Sequence, residues 1–202
     1  MNKSQIEIYI FRHGETEYNR EGRVQGSIDI PLNENGENQA LDLARKLSKT
    51  GISQIFSSPS GRAKRTAEIV ATMSHASIDV VKALKEIDFG LAQGKTKEEL
   101  LIAYGEPFMI NWRKIDADAM HLGFPAGETK KQCQDRAVEA VTSIALTCQS
   151  KVIGISTHGS FLRLFIHSII GHEGELIPTP NCVLYKVTFD RSTQKFSFEG
   201  RV

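Results

Sequence analysis

Ile6, Ile8 and Ile10 alternate with Glu7 and Tyr9, and Phe11 follows. This period of two predicts a strand that ends on the polar triplet Arg12-His13-Gly14. A polar stretch containing Gly14, Gly22 and Gly26 then runs to Pro31 as a predicted loop. Asn33 reads as a helix N-cap, Ala40, Leu43, Ala44 and Leu47 share one helical face, and Gly51 ends the helix. SQIFSS (53–58) predicts a second strand, and PSGRAKRTAEIVATM (59–73) a helix with Ala63, Ala67, Val70 and Ala71 inward. IDVV (78–81) predicts a third strand. The pattern loosens from Lys82 to Gly127, with short helical pieces near 97–104 and 107–114. Cys133, Ala137, Val141, Ile144 and Cys148 then form one apolar stripe along a long helix. KVIGIST (151–157) is a nearly continuous apolar strand, as expected where both sheet faces are covered. SFLRLFIHSII (160–170) predicts a helix stopped by Gly171, and strands near 182–189 and 195–199 close the chain.

Strands that alternate with helices imply an α/β fold, a three-layer αβα sandwich whose central sheet is mostly parallel with an antiparallel edge. At 202 residues the expectation is a single domain over 1–202 with a cap-like insertion around 97–127. A net charge of +1 offers no overall field for a nucleic acid or an anionic membrane, so each cation has to be read individually. Cys133, Cys148 and Cys182 are scattered, which favours reduced thiols and a cytoplasmic setting over a disulfide frame. No apolar run approaches a membrane span, and MNKSQIEIYIF is too short and too charged for a signal peptide. The closing strands are compatible with pairing in a homodimer.

Active sites of such sheets lie beyond the carboxyl ends of the strands. Arg12-His13-Gly14 follows the first strand, Ser57-Ser58-Pro59 and Arg62 the second, and Thr157-His158-Gly159 the VIGIS strand. Three distant segments thus deliver two arginines and two histidines to one edge. Guanidinium forks match the oxygens of a phosphomonoester. Like charge beside His13 disfavours its protonated form and leaves one ring nitrogen free to attack phosphorus, while the other needs an acceptor, expected to be a backbone carbonyl. His158 is expected to donate to phosphate oxygens. Glu86, in ALKEIDFG, is the candidate proton donor to the leaving alcohol, its proton affinity raised by desolvation and the bound dianion.

FRHGETEYN resembles the R-H-G-E/T-x-x-N signature of the histidine phosphatase superfamily, the phosphoglycerate mutase-like group of branch 1. RVQGSIDIPLNENGENQA, IFSSPSGRAKRTAEI, LKEIDFG, FPAGET and STHGSFLR resemble its further blocks, in family order over nearly the whole chain. The resemblance implies that His13 is phosphorylated, that Glu86 donates the proton, and that Arg12, Arg62 and His158 form the phosphate pocket. It further implies substrate contacts for Asn19, Gln25, Gly26 and Gly159. The family's mutases carry an E-R-H/Y-Y-G block, and here Ile87 stands in place of that arginine. Ala92 and Gln93 likewise replace the common Trp and Glu. The resemblance is greatest to small phosphatases such as α-ribazole phosphatases. It implies a metal-independent phosphomonoesterase acting on a small phosphorylated metabolite, with no cofactor.

Other readings stay open. A cofactor-dependent phosphoglycerate mutase or a fructose-2,6-bisphosphatase-like enzyme would use the same His13 chemistry, and a non-catalytic phospholigand binder would keep only the fold. Asp88 rivals Glu86 as the acid, with Glu15 a weaker rival. Arg65 reads as a solvated helix residue. His75, His121, His167 and His172 lack metal-ligand spacing. Phe108, Trp112, Met120 and Phe124 either line a cap over the site or pack that cap down.

Overall fold

The computed structural model describes residues 4–172 and 175–202. The alternation at the start of the chain becomes β1 (Gln5–Arg12), and its two faces go to two different cores. Ile6, Ile8 and Ile10 join one apolar cluster, and Tyr9 and Phe11 join the other. The second cluster is completed by Ala40, Leu43, Ala44 and Leu47 of α2 (Glu34–Leu47) and by Ala67, Val70 and Ala71 of α3 (Gly61–Ser74). The first is completed by α6 (Lys130–Thr147), through Cys133, Ala137, Val141 and Ile144, and by α7 (Gly159–Ile170). Helices therefore cover both sheet faces, which is the three-layer architecture expected from the pattern.

β2 (Gln54–Ser57), β3 (Ser77–Val80), β4 (Val152–Thr157), β5 (Leu184–Asp190) and β6 (Lys195–Arg201) complete a six-stranded sheet of order β3-β2-β4-β1-β5-β6. β3, β2, β4 and β1 pair in parallel, and β5 and β6 add the antiparallel edge. β4 lies between β2 and β1, so the segments after these three strands emerge side by side. Its register with β1 sets Arg12 against Thr157, and its register with β2 sets Ser57 against Ser156.

The polar stretch after β1 departs from the expected loop. It contains α1 (Glu17–Arg20), nucleated by a capping box in which Thr16 and Asn19 satisfy each other's backbone N–H groups. Apolar periodicity cannot reveal a four-residue helix with no buried residue. The 97–127 region forms α4 (Lys97–Tyr104) and α5 (Glu106–Trp112), followed by a short 3₁₀ turn at Ala119–His121. Phe108, Trp112 and Phe124 pack with Phe89 and Tyr104, with ring centroids as close as 4.6 Å between Trp112 and Phe124. Met120 is buried in the same apolar cluster, so Phe108, Trp112, Met120 and Phe124 all help to pack the region down. Among the described residues no helix is long and apolar enough to cross a membrane.

Candidate active site

Parallel pairing of β1 with β4 sends His13 and His158 out at the same level, and their rings meet edge to face with centroids 5.2 Å apart. His13 is almost fully buried. Its Nδ1 lies 2.7 Å from the Gly14 carbonyl and its Nε2 lies 3.3 Å from Arg62 Nε. A carbonyl can only accept and a guanidinium can only donate. The proton therefore sits on Nδ1, and the lone pair of Nε2 faces outward to the arginine. Burial, and after it the charges of Arg12 and Arg62, hold the imidazole well below its usual pKa of 6.5. The expected neutral histidine is found, but desolvation outweighs like charge as its cause. Gly14 is required by close approach, because a Cβ there would stand 2.4 Å from the Gly36 carbonyl oxygen.

Arg62 is 1% exposed, yet its fork is not free. Nη1 donates to the Ile28 carbonyl and Nη2 to the Gly26 carbonyl, each at 2.8 Å, and the remaining N–H groups are left for an anion. Gly26 has φ +56°, and the Gln93 side chain occupies the space that a Cβ would need. Gln93 Oε1 in turn accepts from the backbone N–H and the hydroxyl of Ser27, which anchors the loop. Arg12 Nη1 donates to the Thr179 carbonyl at 2.6 Å, and its Nε is buried without a partner. Burial lowers this guanidinium to about 10, which leaves it charged at neutral pH.

Glu86 receives the first turn of α7. Ser160 N–H donates to Oε2 (3.0 Å), and Phe161 N–H and Ile87 N–H donate to Oε1 (2.9 and 3.0 Å). Its negative charge raises the proton affinity of Arg12, Arg62 and Arg163, so it belongs to the same electrostatic cluster. Neither rival lines the cavity that holds His13. Asp88 caps Gly90 N–H, and Glu15 accepts from Asn33 Nδ2. Arg65 is exposed and pairs with Glu37.

A cavity of about 460 Å³ is lined by His13, Arg12, Arg62, Glu86, Asn19, Gln25, Gly26 and Gly159. His158 is the exception among the expected residues. It is fully buried beside His13, off the cavity wall, with Nε2 2.8 Å from Ser58 Oγ and Nδ1 unpartnered. Burial and the neighbouring charge of Arg62 lower its pKa as well.

Residues 8–199 match the family model described as histidine phosphatase superfamily (branch 1). The chain belongs to this family. It is a phosphoryl-transfer enzyme of the histidine phosphatase superfamily, with the phosphoglycerate mutase-like α/β fold. A Serratia proteamaculans (strain 568) protein named "Probable phosphoglycerate mutase GpmB" is 34% identical over 93% of this chain and 86% of its own. Bacillus stearothermophilus YhfR superposes with a TM-score of 0.84 at 31% identity, covering 96% of each chain. A mycobacterial glucosyl-3-phosphoglycerate phosphatase, at 19% identity, shares the fold with a TM-score of 0.81 over 97% of this chain and 98% of its own.

The histidine phosphatase pocket also holds residues that the sequence reading passed over. Arg23, Lys97 and Arg163 line the same cavity. Arg163 donates to Ile177 O and Thr179 Oγ1, and Asn181 Nδ2 donates to the His13 carbonyl at the end of β1. Arg163 stood within the quoted STHGSFLR block, at helical spacing from Gly159, and that spacing was the available signal. For Thr179 and Asn181 there was none, because their placement depends on the β1–β5 pairing.

Proposed function

We propose that this chain is a phosphomonoesterase working through a phosphohistidine on His13 Nε2. The observation that carries the reading is the fixed tautomer of His13, with Nδ1–H committed to Gly14 O and Nε2 held only by a long 3.3 Å contact. In the first step the Nε2 lone pair forms a bond to phosphorus, the bond from phosphorus to the ester oxygen breaks, and Glu86 supplies a proton to the departing alkoxide. In the second step Glu86 takes a proton from water, whose oxygen attacks phosphorus and displaces His13. Arg12 and the free N–H groups of Arg62 offset the charge on the phosphoryl oxygens, while His158, buried off the cavity wall, packs against the His13 ring. Asn19, Gln25, Gly26 and Gly159 complete the wall around the substrate.

A proton donor must sit at the leaving oxygen. Glu86 borders both the phosphate cavity and a neighbouring one of about 710 Å³, whose lining includes Ser27, Asp29, Lys82, Lys85 and Asp88. The charged side chains on its wall support a small polar leaving group, and Lys97 at the start of α4 reaches the wall of the phosphate cavity. Ile87 is fully buried in the core, so the position that carries an arginine in the mutases contributes no cation here.

A mutase reading draws support from Arg23, Lys97 and Arg163, three cations beyond those a single phosphoryl group needs, and from the name of the Serratia relative. Two measurements separate the readings. p-Nitrophenyl phosphate should turn over with EDTA present, and His13→Ala should abolish both turnover and an alkali-stable, acid-labile phosphoenzyme. With 3-phosphoglycerate and 2,3-bisphosphoglycerate, inorganic phosphate should accumulate. Rapid formation of 2-phosphoglycerate with little free phosphate would establish the mutase instead.

A further inference from the structure

Asn19 lines the phosphate cavity, and a side-chain amide has two chemically opposite ends. Which end faces the cavity decides whether Asn19 attracts or repels an anion. The contacts around it settle the question. Thr16 N–H lies 3.3 Å from Asn19 Oδ1. A backbone N–H can only donate, so the atom facing it is the oxygen.

The second constraint comes from Asn181. Its Nδ2 lies 3.1 Å from the His13 carbonyl and 3.0 Å from Asn19 Oδ1. The His13 carbonyl can only accept, so the Asn181 atom facing it is the NH₂. That group has two hydrogens, one for each acceptor. Both amides are thus oriented by backbone groups, and their mutual contact is of matching polarity. The NH₂ of Asn19 has no acceptor among the described residues and is left for the cavity.

We infer that Asn181 is a positioning residue that orients the Asn19 amide with its NH₂ toward the transferred phosphoryl group. Asn181 does not line the cavity and acts through Asn19. The inference rests on the reading that Asn19 touches the substrate phosphate. Its physical content is that, without Asn181, the shortest of the three contacts holding Asn19 Oδ1 is lost, leaving only the Thr16 N–H and hydroxyl at 3.3 Å. The amide can then present its oxygen to the anion for part of the time.

Competitive inhibition by inorganic phosphate and by orthovanadate, with p-nitrophenyl phosphate as reporter, tests this in four proteins. Asn19→Ala should weaken phosphate binding by roughly tenfold, about 1.4 kcal/mol for one lost charge-assisted hydrogen bond. Asn181→Ala should weaken it several-fold, mainly in KM and the inhibition constants. In Asn19→Ala/Asn181→Ala the loss should be no greater than in Asn19→Ala alone, a coupling that general loosening would not produce. Multiplicative losses, or a wild-type inhibition constant for Asn181→Ala, would overturn the inference. Asn19→Asp tests it without altering Asn181. It keeps the acceptor toward Thr16 and Asn181 and replaces only the cavity-facing NH₂ by oxygen. It should retain the wild-type unfolding temperature and bind phosphate more weakly than Asn19→Ala, and binding equal to wild type would refute the orientation. A His13→Ala protein that keeps full turnover would instead refute the phosphohistidine reading, so the two failures are distinct.

Discussion

His13 and Gly14 act together, since the carbonyl that fixes the imidazole tautomer belongs to a glycine clamped against α2. A Cβ at Gly14 would stand 2.4 Å from the Gly36 backbone oxygen, and one at Gly36 would stand 2.1 Å from the Glu15 oxygen. Gly14→Ala should therefore cost about 2–3 kcal/mol, a fall in Tm of roughly 4–12 °C, and should reduce turnover more than the stability loss accounts for. Gly22→Ala is the matched control. It has φ +69° with nothing within 4 Å, so it should cost only about 1 kcal/mol and leave turnover unchanged. The residue types at the strand ends were legible in sequence because Arg, His, Arg and His are costly to gather at one edge without an anion to bind. What was not legible is how Arg62 divides its donors. Its hydrogen bonds to Gly26 O and Ile28 O depend on a loop path that no periodicity encodes.

At the scale of elements, apolar patterning located every strand and every helix of more than four residues to within a few positions. α2 starts after Asn33, whose side chain accepts from Gly36 N–H, as the N-cap reading requires. α1 escaped notice because its stability comes from the reciprocal Thr16–Asn19 cap and not from a buried face. The 97–127 segment was legible only as short helical pieces. Its order comes from aromatic packing among Phe89, Tyr104, Phe108, Trp112 and Phe124, residues spread over two helices and the loops on either side. Lys130, opening α6, ties the segment down by donating to Asn111 O and Lys114 O beneath the Trp112 ring. Phe124 is 3% exposed and touches four of these rings, so Phe124→Ala should cost about 3–5 kcal/mol by chemical denaturation. Because Phe89 lines the cavity at His13, the same change should also alter KM for bulky phosphoesters more than for inorganic phosphate.

For the molecule as a whole, three buried histidines with lowered pKa values, His13, His158 and His167, make stability depend on pH in a definite direction. Unfolding restores all three to an ordinary pKa of about 6.5, so the unfolded chain takes up protons that the folded one refuses. Their contribution is complete above that pH and is lost as pH falls below it, at roughly 1.4 kcal/mol per pH unit for each histidine. Urea titrations between pH 7.5 and 5 should show this slope, and His13→Gln should remove about one histidine's share of it. An unchanged slope would mean that His13 is not the buried neutral base described here. The net charge of +1 gave no hint of the cation-rich cavity, because the opposing carboxylates are spread over the rest of the surface. One consequence concerns synthesis on the ribosome. Asn181 bonds to the His13 carbonyl across 168 positions of chain, and Thr179 holds Arg12 across 167. The nascent polypeptide can therefore assemble β1, β2 and β4 and still lack the contacts that hold Arg12 and the His13 carbonyl. Phosphoryl chemistry should switch on only when the segment leading into β5 has cleared the exit tunnel.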